Sequence, residues 1–162
     1  MRKILGIDPG TGIVGFGFIG ADSRELKLVD AGVIRTPAHQ AAEIRLLTIY
    51  DELTQLIKEN KPEWISVEKL FFARNVTTAM AVSQSRGVVL LAAVQAGLKV
   101  AEYTPLQIKM AITGYGRADK KQMQEMVKLL LSLDQIPKPD DAADALAAAI
   151  THAQYISKTS MQ

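Results

Sequence analysis

The residues Lys3-Ile4-Leu5-Gly6-Ile7-Asp8-Pro9-Gly10-Thr11-Gly12 confine this chain more than any other stretch. A short apolar run ends in an acid, and a Pro-Gly pair follows at once. An apolar run of that length bounded by turn residues reads as a buried strand. Asp8 then stands where a central strand leaves the core. A carboxylate there is paired, hydrogen-bonded or bound to a metal, because an unpaired buried charge is very costly. The plainer alternative is that Asp8 only caps the turn at Pro9 and Gly10. In Ile13 to Gly20, Val14, Phe16 and Phe18 alternate with glycines, which predicts a strand with one thin face. Glycine in a strand marks close approach of another backbone or a ligand.

Ala21 to Glu25 is a turn, and Leu26 to Arg35 is a third strand. Strands joined this tightly are antiparallel, so the chain opens as a three-stranded meander. Thr36-Pro37-Ala38 breaks the sheet. From Ala41 to Glu59, apolar residues including Ile44, Leu47, Leu53 and Leu56 recur at helical spacing. Pro62 stops that helix, and Trp64-Ile65-Ser66-Val67-Glu68 is a short strand that again ends in an acid. A strand–helix–strand passage makes a right-handed parallel crossover. If this strand lies beside the first, Asp8 and Glu68 emerge at one sheet edge, where such sheets bind ligands.

Lys69 to Asn75 mixes aromatic, apolar and basic residues, and Phe71 and Phe72 are either core or an exposed aromatic contact. Asn75 to Ala96 is a long helix whose second half is apolar nearly all round, buried either inside the domain or against a second subunit. Gly97 ends it. Leu98 to Tyr103 is a fifth strand. Thr104-Pro105 opens a short helix carrying Lys109. Gly114 to Lys120 is a flexible basic loop that includes Arg117, and Asp119 can cap the helix that follows. The last helix opens on Asp140-Asp141-Ala142-Ala143-Asp144, with Asp141 and Asp144 on one face. Acids are common in a first helical turn, yet the alanine and leucine around these two predict a helix pressed onto the sheet.

The chain's 162 residues fit one domain, taken as 1–157, with a short polar tail at 158–162. There is no cysteine, hence no disulfide or thiolate metal site. No signal peptide or membrane-spanning run is read, and the expected location is the cytoplasm. A net charge of +2 is too small to announce a polyanion partner, so any nucleic-acid surface must concentrate its charge on one face. Four acids share an expected location: Asp8, Glu68, Asp141 and Asp144. Converging carboxylates repel unless a cation compensates, and oxygen-only ligation suits Mg²⁺ or Mn²⁺. Two such ions clamp the attacking and leaving oxygens of a phosphoryl displacement. Lys109 and Lys120 would offset phosphate charge, although any single lysine is more often a solvated surface residue.

The order β-β-β-α-β-α-β-α, with acids on the first strand, the fourth strand and the last helix, resembles the ribonuclease H fold. That is an α/β architecture in which a five-stranded mixed sheet, a three-strand antiparallel meander plus two parallel strands, is flanked by helices. More narrowly, Gly6-Ile7-Asp8-Pro9-Gly10, Val67 to Asn75, Gln84-Ser85-Arg86-Gly87-Val88 and Asp141-Ala142-Ala143-Asp144-Ala145-Leu146 resemble the RuvC family of bacterial Holliday-junction resolvases. The resemblance implies a homodimer that nicks two strands of like polarity in a four-way DNA junction and leaves 5′-phosphate ends. It implies that Asp8, Glu68, Asp141 and Asp144 bind Mg²⁺, with Mn²⁺ able to substitute, at one or two ions per subunit. By match, Lys109 and Lys120 lie near the cut phosphate, Phe71 stacks on a base, and Arg74, Asn75 and Arg117 lie on DNA. The resemblance also implies that the helix from Asn75 forms the dimer contact and that the branch-migration proteins RuvA and RuvB are partners. Three rival readings are an actin-like or sugar-kinase ATPase, a junction-binding module without catalysis, and a ribonuclease H-like nuclease acting on RNA or RNA–DNA hybrid.

Overall fold

The computed structural model describes residues 1–69 and 76–159. Five strands and five helices follow in the order β1 (Arg2–Asp8), β2 (Ile13–Ala21), β3 (Leu26–Arg35), α1 (Ala42–Asn60), β4 (Trp64–Glu68), α2 (Val76–Gln95), β5 (Lys99–Tyr103), α3 (Pro105–Thr113), α4 (Lys120–Leu130) and α5 (Asp140–Thr159). The sheet order is β3-β2-β1-β4-β5. β1, β2 and β3 form an antiparallel meander, and β4 and β5 add in parallel to β1. The mixed five-stranded sheet of the ribonuclease H architecture is present as expected.

Strand parity sorts the side chains into two cores. Successive residues of a strand point to opposite faces. Leu5 and Ile7 of β1, Phe16 and Phe18 of β2, and Ile65 and Val67 of β4 pack on one face with Ile49 and Leu53 of α1 and Val89 of α2. Ile4 of β1 and Ile19 of β2 pack on the other face with Leu146 and Ile150 of α5, Ile108 of α3 and Val127 of α4. By that alternation Gly6 and Asp8, like Ser66 and Glu68, belong to the face that α5 covers.

The thin face of β2 is where α5 sits. A Cβ on Gly6 would lie 1.8 Å from the Ala145 carbonyl oxygen, and one on Gly15 would lie 2.0 Å from that of Asp141. A Cβ on Gly17 would strike the Leu146 side chain at 2.5 Å. The three glycines thus cut a groove, and the small-residue helix lies in it backbone to backbone. Eleven residues of α5, from Ala142 to Ala153, are buried. Ser66 Oγ donates to the Ala148 carbonyl at 2.7 Å and ties β4 to the same helix.

α2 is buried on one side only. Ala79, Ser85, Val89, Ala92 and Ala93 face the domain, while Val76, Met80, Leu91 and Val94 are each more than half exposed. Burial on several sides is therefore not met within the single chain. α2 also has the length and hydropathy of a membrane span, contrary to the expectation that no run comes near one. Its Arg86, ion-paired with Glu102 of β5 at 2.5 Å, and its packing on α1 and the sheet mark it as a domain helix.

His152 of α5 is buried against Trp64, and its Nδ1 shares a hydrogen bond with the Tyr103 hydroxyl, 2.7 Å away. Burial pushes its pKa from 6.5 down to about 4. Between those values the unfolded chain binds a proton that the folded chain refuses, so this histidine's contribution to stability is complete above pH 6.5 and falls as the medium acidifies. Asp8 works in the opposite sense, because its carboxyl holds a proton more tightly when folded. The useful quantity is therefore the difference between the native chain and His152→Gln. In urea unfolding, the native chain should lose about 2 kcal/mol more than the variant between pH 7.5 and pH 5. Parallel pH profiles would contradict the buried neutral imidazole.

Candidate active site

Asp8 and Glu68 end neighbouring parallel strands. The ladder pairs Ile7 with Val67, so the next residue of each strand reaches the same carboxyl edge of the sheet. Both acids are half-buried there. Across the antiparallel ladder Asp8 faces Gly15. The space that a Gly15 side chain would take is filled by the Asp141 backbone. The first turn of α5 is thereby set directly over Asp8, and Asp144, three residues on, shares its face.

The charges of these acids act on one another. Burial pushes the Asp8 carboxyl up to about 8, helped by the charges of Asp144 and Asp141, a hydrogen bond to the Asp141 side chain, and the charge of Glu68. Glu68 is raised by burial and by Asp144, and Lys109 pulls it back. Asp144 is raised by burial, and Lys120 opposes that before Asp141 and Asp140 add to it. Four carboxylates and two ammonium groups thus act on one another at one sheet edge. Among the described residues no three acidic or histidine side chains form a closed cation cage. The donor set is nonetheless all oxygen, and its members repel one another as they stand. That fits a hard divalent ion such as Mg²⁺, which keeps several waters and takes only some of its ligands from protein.

The two lysines arrive on capped helices. Thr104 accepts from the Gln107 amide, and the Gln107 side chain accepts from the Thr104 amide, so α3 starts on a full capping box with Pro105 behind the cap. α4 starts on the equivalent box of Asp119 and Gln122. Lys109 is half-buried near Glu68, and Lys120 opens α4 and pairs with Asp140 at 2.9 Å. Arg117 is exposed just before α4. Phe71, Arg74 and Asn75 lie outside the described residues.

Three parts of the site were not singled out from sequence. Asp140 looked like one more acid in a first helical turn, but it holds Lys120. Gly6 was read only as part of a strand, although the glycine alternation of β2 was the signal for a backbone contact. Glu102 and Tyr103 at the end of β5 touch α2 and α5 in turn, through Arg86 and His152. No local pattern distinguishes such a junction, because Arg86 and His152 lie 16 and 49 residues away in the chain.

A family model for crossover junction endodeoxyribonuclease RuvC matches residues 4–152. A protein of that name from Desulfitobacterium hafniense is 58% identical over 154 residues, covering 95% of this chain and 93% of its own. The protein of that name from Brevibacillus brevis is 55% identical over 153 residues, with 94% and 92% covered. Among solved structures, Thermus thermophilus RuvC in complex with Holliday junction substrate superposes with a TM-score of 0.93 at 34% identity, covering 98% of this chain and 97% of that one. The sheet order, the fit to a solved RuvC structure, and a family match running from β1 through most of α5 agree, and the chain belongs to the crossover junction endodeoxyribonuclease RuvC family.

Proposed function

We propose that this chain is a structure-selective DNA endonuclease that resolves four-way (Holliday) junctions in recombination and repair, acting as a homodimer in the bacterial cytoplasm. The observation that carries the reading is the meeting of Asp8 and Glu68, on two parallel strands, with Asp141 and Asp144 from α5. The reaction is hydrolysis of a phosphodiester to a 5′-phosphate and a 3′-hydroxyl. Asp8, Glu68, Asp141 and Asp144 would hold Mg²⁺ or Mn²⁺, at one or two ions per subunit, and the bound ion would supply activation of water and stabilisation of charge at the scissile phosphate.

The chain's own groups position the DNA. Lys109, near Glu68, and Lys120, near Asp144, offset phosphate charge as point donors. Arg117 extends the positive edge, and Phe71, Arg74 and Asn75 are proposed contacts at the opened crossover. Phosphate contacts provide much of the affinity and make it salt-dependent.

The homodimer is supported by α2. Val76, Met80, Gly87, Leu91 and Val94 recur at spacings of one or two helical turns, so they form one stripe. The four large residues of that stripe are exposed, and a Cβ on Gly87 would meet nothing within 4 Å. Ile44 and Leu47 of α1, which packs on α2, are exposed as well. Two such subunits related by a two-fold axis match a two-fold junction. RuvA and RuvB, as branch-migration partners, are part of the same proposal.

The test is cleavage mapping. The protein is incubated with Mg²⁺ and a synthetic four-way junction, next to linear duplex and RNA–DNA hybrid, and cuts are mapped on all four strands. The expected result is paired symmetric nicks in two strands of like polarity, confined to the junction. Cutting of the hybrid would move the reading to a general ribonuclease H-like nuclease, and tight binding without cutting in Mg²⁺ or Mn²⁺ would remove the catalytic role of the acids.

A further inference from the structure

Lys120 is held by a residue that the catalytic reading does not use. Its ammonium pairs with Asp140 Oδ2 at 2.9 Å. The other oxygen of Asp140 accepts from Gln124 Nε2 at 3.0 Å. Lys120 and Gln124 are one turn apart on α4, so both contacts bind the start of α4 to the first residue of α5. Asp140 and Asp144 are in turn one turn apart on α5, about 6 Å along the helix axis. Lys120 also acts on Asp144, opposing the rise of its carboxyl. The ammonium is strengthened first by its hydrogen bond to Asp140 and also by the charges of Asp144, Asp140 and Asp141. It is thus bound at one carboxylate and attracted by the next.

The bond to Asp140 is easily exchanged. Both side chains are more than half exposed, and an exposed ion pair of this kind contributes little to stability. Lysine carries its charge on a flexible four-carbon stem with rotatable donors, so a shift of about one helical turn lies within its reach.

We propose that Asp140 holds Lys120 in the DNA-free protein, and that Lys120 exchanges this carboxylate for a phosphate oxygen of the junction near Asp144. The inference rests on the reading of Lys120 as a phosphate contact. Asp140 is then a positioning residue that competes with DNA for one ammonium. Gln124 keeps Asp140 in place when the lysine leaves.

Junction binding in EDTA, where no cutting occurs, tests this with four full-length proteins: native, Asp140→Asn, Lys120→Gln and the double variant. Asparagine keeps the size of Asp140 and an acceptor for Gln124. Affinity is measured over a KCl series. Asp140→Asn should bind about 2–5-fold tighter with its salt slope nearly unchanged, since Lys120 ends on the same phosphate in both proteins, whereas Lys120→Gln should lower the slope by about 1 per subunit. In the Lys120→Gln background the same change should have no effect. A gain that persists without Lys120 would show that Asp140 acts through general charge, and would overturn the exchange. No gain, with Lys120→Gln still weakening binding, also overturns it but leaves Lys120 on the DNA. If Lys120→Gln binds and cuts as the native protein does, the phosphate-contact reading fails and the exchange fails with it.

Discussion

Asp8→Asn is expected to lower junction cutting by about 10³-fold or more, while junction affinity in EDTA stays within a few-fold of native. Stabilisation of developing charge at a metal-assisted phosphoryl site is worth several kcal/mol, and each 1.36 kcal/mol is a factor of ten in rate. Asparagine has the shape of aspartic acid but provides no anionic ligand. The fold should accept it readily. Burial and three neighbouring acids already hold the Asp8 carboxyl up at about 8, so near pH 7 the metal-free protein keeps that group largely neutral. Asparagine is neutral without taking up a proton, so the cost of keeping Asp8 protonated in the fold disappears and the melting temperature in EDTA should be unchanged or higher. The rise in melting temperature that Mg²⁺ or Mn²⁺ produces in the native protein should shrink in the variant, because binding to the folded state stabilises by mass action. Loss of junction binding together with cutting would count against a ligand role for Asp8. A fall in melting temperature in EDTA would show instead that the carboxylate holds the turn at Pro9 and Gly10.

Much of this site could be read from strand parity alone. β1 and β4 are short, their apolar residues alternate faces, and each ends in an acid, so a parallel crossover puts Asp8 and Glu68 on one face at one edge. α5 was legible for a different reason, since a helix of alanines can only be buried by lying close to a backbone. What sequence could not supply was the pairing of that helix with a particular groove. Gly15 and Gly17 read as a thin face that another backbone or a ligand approaches, and Gly6 as part of a strand, but only the ladder, which sets Gly6 opposite Gly17 and Asp8 opposite Gly15, makes them one surface. Asp140 was illegible on the same grounds. Its partners Lys120 and Gln124 precede it by 20 and 16 residues, across an irregular segment that contains Pro137 and Pro139. α2 shows the converse case. Its apolar second half was plain in the sequence, but which side the domain buries depends on where α1 and β5 lie.

Gly15→Ala should separate the position of the acids from their chemistry. The added methyl would lie 2.0 Å from the Asp141 carbonyl oxygen, 2.5 Å from its carbonyl carbon and 3.0 Å from its Cβ. Two of these are backbone atoms of a helix, which no side-chain rotation can move aside. The start of α5 must lift from the sheet or β2 must bend away. Overpacking of this kind costs about 1–3 kcal/mol, and for a chain of this size each kcal/mol lowers the melting temperature by about 2–4 °C. A fall of about 2–12 °C is expected, with the protein still folded at 25 °C. Cutting should suffer far more, because displacing catalytic groups by about 1 Å costs on the order of 10²-fold. All four acids are intact in this variant, so the loss reports their separation and not the loss of a ligand. Gly20→Ala is the control on the same strand. Its methyl would meet only the flexible Met1 side chain, at 3.1 Å, and both stability and cutting should stay close to native. Equal losses of cutting in the two variants would show that β2 tolerates no added methyl anywhere. Native cutting by Gly15→Ala would show that α5 can shift without moving Asp141 from Asp8, and the groove would then serve stability alone.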